Sequence, residues 1–246
     1  MSLSSNSLIH LTKEKQSLIG ILTDNFKIKF CVEDLLTPPG NLNYAVPMVS
    51  FCDIPMSEIK NHISKYGSYG IGLTREWGQK NNLNPVFYVD KNSSVGKAYF
   101  EAFVELFHNQ SRKVTEINEI ESKLLNVYRY MKNYEADLVR NEQIEHDYRF
   151  ADEKEWRYVP TKEEARNMVL RTDVYLKDKI GSNQKLDTLR LYFEPKDIKY
   201  IIIKHENEIT EFIDILRKSK GTKYSYNDVE RLMTRIITSD QILTDF

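Results

Sequence analysis

The run KYIIIK at 199–204 sets Tyr200 and three consecutive isoleucines between two lysines. A stretch this short and this apolar has to be buried. Its β-branched residues favour an extended backbone, so it reads as a strand inside a sheet. Such a strand needs neighbours, and the sequence supplies them on both sides of a helical block. SLIHLT (7–12), AVPMVSFCDIP (45–55, closed by Pro55), SYGIGLT (68–74), NPVFYV (84–89), EWRYV (155–159) and TLRLYF (188–193) are all strand-like.

Helical spacing appears between them. In 13–26, Leu18, Ile21 and Leu22 share one face and Asn25 is a stop signal. SEIKNHISKYG starts at a Ser57 cap and ends at Gly67, and TKEEA carries a Thr161/Glu164 capping-box spacing. EITEFIDILRKSKG is an amphipathic helix with a basic end, and 227–246 reads as a last helix and tail. TPPGNLN (37–43) reads as a loop. From Ile117 the apolar positions run Ile120, Leu124, Val127, Met131, Tyr134 and Leu138, in steps of three and four. That spacing predicts one long amphipathic helix, either laid across the body of the domain or docking a partner. Strands, a helical block, strands and then helices point to one α+β domain over 1–246, with a helical excursion at about 97–145.

A formal net charge of −1 gives no general attraction to nucleic acid or to an anionic membrane. The N-terminus has no basic start followed by a long apolar run, and no window approaches the roughly 18 apolar residues of a membrane span, so a cytoplasmic, soluble protein without a membrane partner is expected. Two scattered cysteines, Cys31 and Cys52, fit a reducing compartment. With His10 and His62 they match no zinc spacing, and no metal site is expected. P-loop, GxGxxG, HExxH and GxSxG signatures are absent. Gly67, Gly70 and Gly72 either let a strand turn or let a ligand approach the backbone.

The chemistry-bearing stretch is FADEKEWRYVP (150–160). If 153–159 is extended, Glu153, Glu155 and Arg157 share one face, and Trp156 and Tyr158 anchor the other. Two carboxylates then converge on one place, where one could act as a base or both could support a cationic transition state. The other reading is a charged solvent edge. His10, with Thr12 just beyond it, ends an apolar strand where a ligand could be met.

Those segments (His10 with Thr12, VPMVSFCDIP, YGSYGIGLTREWG, NPVFYV and DEKEWRYVP), together with DIKYIIIKHENEI and IITSDQILTDF, resemble in this order the AbiGi family of bacterial abortive-infection proteins. The resemblance spans nearly the whole chain. It implies a role in phage defence within a two-component system, labelled antitoxin-like, and a cognate toxin or antitoxin protein as partner. Three shorter motifs are also similar to those of ADP-ribosyltransferases: IHLTKEKQSLIGIL, VSFCDIP and EKE at 153–155. That similarity implies a split-sheet α+β fold with a long helical insertion. It implies NAD as substrate and ADP-ribosyl transfer to a macromolecular acceptor, protein or nucleic acid. His10 and Thr12 would hold NAD. Ser50 and Phe51, or Tyr66 and Tyr69, would shape the nicotinamide pocket. Glu155 would be the catalytic carboxylate, with Glu153 orienting the acceptor or acting as base. The competing expectation is a non-catalytic antitoxin or sensor that works by protein–protein binding.

Overall fold

The structure is a computed structural model and describes residues 5–107, 118–140, 143–166 and 168–245. It is an α+β fold with a mixed sheet. The chain divides into two compact units, the first gathering 1–27, 50–84 and 189–246 and the second 28–49 and 85–188.

In the first unit, all of KYIIIK but its last lysine lies in the strand Ile198–Ile203, and Ile201, Ile202 and Ile203 are fully buried. This strand pairs antiparallel with Tyr69–Thr74 and parallel with Ile236–Thr238. On the other side of Tyr69–Thr74 runs Ser7–Thr12, antiparallel, with Ser7 opposite Thr74 and Thr12 opposite Tyr69. Ile9 in turn faces Cys52. The helix Lys15–Asp24 buries Leu18, Ile21 and Leu22, and Asn25 ends it with a positive φ of 61°. The helix Ile209–Lys220 buries Phe212 and Leu216 and closes on Arg217, Lys218 and Lys220, the sign its dipole favours.

Two of the glycines have a structural reason. Gly67 ends the helix Lys60–Tyr66 at φ 120°, and a Cβ there would collide with the Thr12 carbonyl and the Lys13 amide. A Cβ on Gly70 would come within 2.7 Å of the His10 carbonyl oxygen. The Lys60–Tyr66 helix starts after Ile59 rather than at Ser57, because Met56–Glu58 turns as a short 3-10 segment behind Pro55. The tail also departs from a single helix. Tyr226–Met233 is capped by Ser225, and Ile236–Thr238 then leaves the helix to pair with Ile201–Ile203. Two adjacent isoleucines beside a buried strand gain more from sheet pairing than from another helical turn.

In the second unit, Lys29–Thr37 and the facing part of Gly40–Cys52 form a hairpin, from Lys29 opposite Met48 to Thr37 opposite Gly40. The expected loop contracts to a turn at Pro38 and Pro39, and Asn41–Asn43 already belong to the strand. The hairpin contributes Leu35, Leu42, Tyr44, Val46 and Met48 to a core with Val89, Tyr128, Met131 and Val159. Asn133, buried, ties this layer together. Its amide oxygen accepts from Leu36 N at 2.7 Å and its amide nitrogen donates to Leu36 O at 2.8 Å.

The long helix through Ile117–Leu138 is not formed, and the excursion at 97–145 is only partly helical. Helices occupy Ser94–Phe107 and Glu119–Tyr128. Within that span, Ile117 and the rest of 108–117, with 141 and 142, lie outside the described residues. The second helix opens on an Asn118/Glu121 capping box and stops at Arg129. Met131–Asn133 then pairs parallel with Phe87–Val89, and Ala136–Arg140 pairs with Gln143–Tyr148. The step of three to four was fortuitous beyond Val127. Met131, Lys132 and Asn133 alternate in burial as a strand does. Thr161 and Glu164 do exchange their predicted hydrogen bonds, but these close a turn and not a helix.

Candidate functional site

The FADEKEWRYVP segment is not extended throughout. Phe150–Glu153 is a 3-10 turn, Lys154 adopts a left-handed φ of 44°, and only Glu155–Tyr158 is a strand. The kink brings Glu153 and Glu155 to a common point from two different elements. Their common partner is Lys132, in the middle of the strand Met131–Asn133. Its ammonium lies 3.0 Å from Glu153 Oε2 and 2.9 Å from Glu155 Oε2. Arg157, wholly buried, donates from Nε to Glu155 Oε1 at 2.7 Å and from Nη2 to Glu33 Oε2 at 2.8 Å. Its Nη1 reaches the Arg129 carbonyl at 3.1 Å. Tyr148 OH donates to Glu153 Oε1 at 3.0 Å. The Glu155 N–H donates to Tyr88 OH at 2.8 Å. Lys132 also rests over the Phe150 ring, 4.7 Å from its centroid.

The face expected to hold the anchor is therefore reversed. Glu155 and Arg157 are the buried positions, and Trp156 and Tyr158 are half-buried. Burial this deep is sustained by charge matching. Desolvation pulls the Lys132 and Arg157 pKa values down, and for both the surrounding carboxylates outweigh it, so both stand raised. For Lys132 these are Glu155, Glu153 and Glu33, and for Arg157 they are Glu155 and Glu33. Burial pushes the Tyr88 hydroxyl up as well. All four carboxylate oxygens of Glu153 and Glu155 accept a hydrogen bond. Such a network locks a backbone kink and leaves no oxygen of Glu153 or Glu155 without a donor. Lys132, Glu33 and Tyr148 were not anticipated as members. The signal for Lys132 was a lone charge between Met131 and Asn133, and reading the segment as helix hid it.

The other candidates fall in the first unit. His10 Nδ1 donates to the Ser50 carbonyl at 2.8 Å. Its ring lies 5.3 Å from that of Phe26, edge-on, and 5.7 Å from that of Phe51. Burial lowers its pKa, and the bond to Ser50 only partly offsets this, so the imidazole is held neutral with Nε2 as the acceptor nitrogen. Ser50 meets His10 through its backbone. Phe51 joins the aromatic cluster with Phe26 and Trp77. Thr12 ends its strand beside the Gly67 turn. Tyr66 stacks on His62, with centroids 5.9 Å apart. Tyr69 donates to Glu208 Oε1 at 2.9 Å, and burial together with that carboxylate pushes its hydroxyl up to about 12. Tyr69 also lines an open cleft of about 580 Å³ with Lys13, Lys15, Ser64 and Lys204. The structure thus unites His10 with Ser50 and Phe51, and Glu153 with Glu155. It places Tyr69 on a cleft of its own composition. Among the described residues no group of three or more His, Cys, Asp or Glu is arranged to hold a metal, and no helix is long and apolar enough to cross a membrane.

Fold and site together define a mixed α+β protein whose most organised polar cluster is an internal ion network. The chain matches, over residues 24–204, the family described as "Putative abortive phage resistance protein AbiGi, antitoxin", and it belongs to that family of abortive phage resistance proteins. It is 24% identical over 221 residues to "Abortive phage resistance protein AbiGi" of Lactococcus lactis subsp. cremoris, an alignment covering 82% of this chain and 89% of that relative. No solved structure matches. The family match spans Glu33, Lys132, Glu153, Glu155 and Arg157, whereas His10 and Thr12 precede it.

Proposed function

We propose that this protein is the binding, antitoxin-type member of a phage-resistance pair and acts by holding a cognate toxin protein. The observation that carries this reading is the helix Glu119–Tyr128. It buries Leu125 and Tyr128 on one face. Ile120, Leu124 and Val127, spaced by four and three, form an adjoining apolar stripe with 70%, 41% and 37% of their surface exposed. An uncovered stripe of this kind on a stable helix suits helix-in-groove docking. The family description as an antitoxin supports the same reading.

The competing reading is ADP-ribosyl transfer from NAD, with Glu155 as the catalytic carboxylate and Glu153 as its helper. Electrostatic support of an oxocarbenium-like sugar needs an ionised carboxylate facing substrate. Here Glu153 and Glu155 are 4% and 6% exposed and are neutralised by Lys132 and Arg157, which favours binding over catalysis.

Co-expression of the chain with its cognate toxin tests the proposal. Leu124→Glu with Val127→Glu should abolish co-purification and toxin neutralisation while leaving the circular dichroism spectrum unchanged. Retention of both by a folded double variant overturns it. Transfer of label from NAD to a lysate acceptor, lost in Glu155→Gln, would establish the competing reading.

A further inference from the structure

The cleft beside Tyr69 lies wholly within the first unit and encloses about 580 Å³, a volume suited to a small-molecule ligand. Its lining carries three ammonium groups, those of Lys13, Lys15 and Lys204, and one carboxylate, that of Glu14. Buried Ile63 and exposed Leu243 add an apolar part. Neither His10 nor Thr12 lines it.

Its walls are tied in place from several directions, the preorganisation that a binding site needs. Ser239 Oγ donates to the Ser68 carbonyl at 2.6 Å, and Lys60 Nζ donates to the Leu243 carbonyl at 3.0 Å. Gly67 lies so close to the Thr12 carbonyl that it has no room for a side chain. Lys15 is matched by Glu208 at 3.2 Å and by Glu211 at 2.5 Å. Both oxygens of Glu208 are engaged, Oε1 by Lys15 and the Tyr69 hydroxyl, and Oε2 by the Lys204 and His205 N–H groups. The Lys13 and Lys204 ammonium groups are different. Among the described residues neither has an ion-pair partner, and together they outnumber Glu14. These two cations serve no contact that holds the fold.

We infer that this cleft binds a small organic phosphate, with Lys13 and Lys204 on the phosphate and Ile63 and Leu243 against the organic part. A phosphate group carries close to two negative charges near neutral pH, and lysine meets it as a point charge. The Tyr69 hydroxyl already donates to Glu208, so it offers the ligand an acceptor, which suits a hydroxyl or amino group on the organic part. This goes beyond toxin binding, because the cleft shares no residue with the Glu119–Tyr128 helix.

The test uses the purified full chain in magnesium-free buffer, with ATP and inorganic pyrophosphate as probes, followed by isothermal titration calorimetry. ATP should bind saturably at a single site, more tightly than pyrophosphate, with affinity falling as salt rises. Lys13→Ala with Lys204→Ala should weaken ATP binding by about tenfold or more. Leu243→Ser should weaken ATP and leave pyrophosphate unmoved. Lys179→Ala with Lys185→Ala, at two exposed lysines of the other unit, should change neither. The inference is overturned if ATP shows no saturable binding, if pyrophosphate matches ATP, or if the Lys13 and Lys204 double variant keeps the parent affinity. An equal loss in the Lys179 and Lys185 double variant also overturns it, since that would mark diffuse charge attraction. Toxin co-purification reads the Glu119–Tyr128 helix alone, so the failure of either proposal leaves the other standing.

Discussion

Lys132 and Glu155 meet at 2.9 Å, with 17% and 7% of their side chains exposed, and the same ammonium holds Glu153 at 3.0 Å. One cation thus pins a strand and the turn before it. Removing it would leave two carboxylates in a poorly solvated place. Lys132→Met should therefore destabilise the protein by about 3–5 kcal/mol, a far larger loss than a surface ion pair would give. A urea midpoint shifted by less than about 1 kcal/mol equivalent would contradict this.

The same geometry predicts strong coupling. Glu155→Met alone leaves Lys132 with Glu153 and Arg157 with Glu33 but each short of one carboxylate, whereas Glu155→Met in the Lys132→Met background removes both members of a pair. The double variant should be less destabilised than the two single losses added, by about 0.5–3 kcal/mol. Additive losses in a denaturation cycle would mean that the two side chains do not interact.

Met131 and Leu124 were expected on one helical stripe, and the structure separates them. Met131 is 1% exposed and Leu124 is 41% exposed. Met131→Glu should cost several kcal/mol, because it buries an unpaired charge. Leu124→Glu should stay within about 0.5 kcal/mol of the parent. Thermal unfolding of the two variants checks this, and equal melting temperatures would contradict it.

His10 gives a pH dependence. Its folded pKa lies below the ordinary 6.5 because of burial, so between those two values the unfolded chain binds more protons than the folded one. Stability should therefore be flat above about pH 6.5 and fall as the pH drops below it. His10→Gln should flatten that slope relative to the parent, in matched denaturant titrations at several pH values. An unchanged slope would remove His10 as its source.

Gly67→Ala should destabilise by about 1–3 kcal/mol through a strained φ of 120° and collision with Thr12. A gain in stability instead would show that the turn relaxes freely.

The sheet of the first unit was readable because its strands are self-declaring. Ile201–Ile203, Leu8 and Ile9, and Ile71 with Leu73 are apolar enough to require burial whatever their neighbours are. The Lys15–Asp24 helix was readable from three residues on one face. Errors arose where two periodicities agreed by chance. Ile120, Leu124 and Val127 continue in phase into Met131, yet the backbone changes type at Arg129. Only strand pairing with Phe87–Val89, more than forty positions earlier, decides the matter. The site failed for a related reason. Local alternation showed that Glu155 and Arg157 share a face. Which face is buried depends on Lys132 and Glu33, both remote in sequence, arriving with compensating charge.

The division between the units runs through the peptide link joining Val49 to Ser50, inside the Gly40–Cys52 strand, and the polypeptide passes from one unit to the other four times. No single uninterrupted gene fragment encodes either half. Truncation mapping of toxin neutralisation would cut through shared backbone and report collapse in place of function. Assigning roles to the two halves calls for point substitutions.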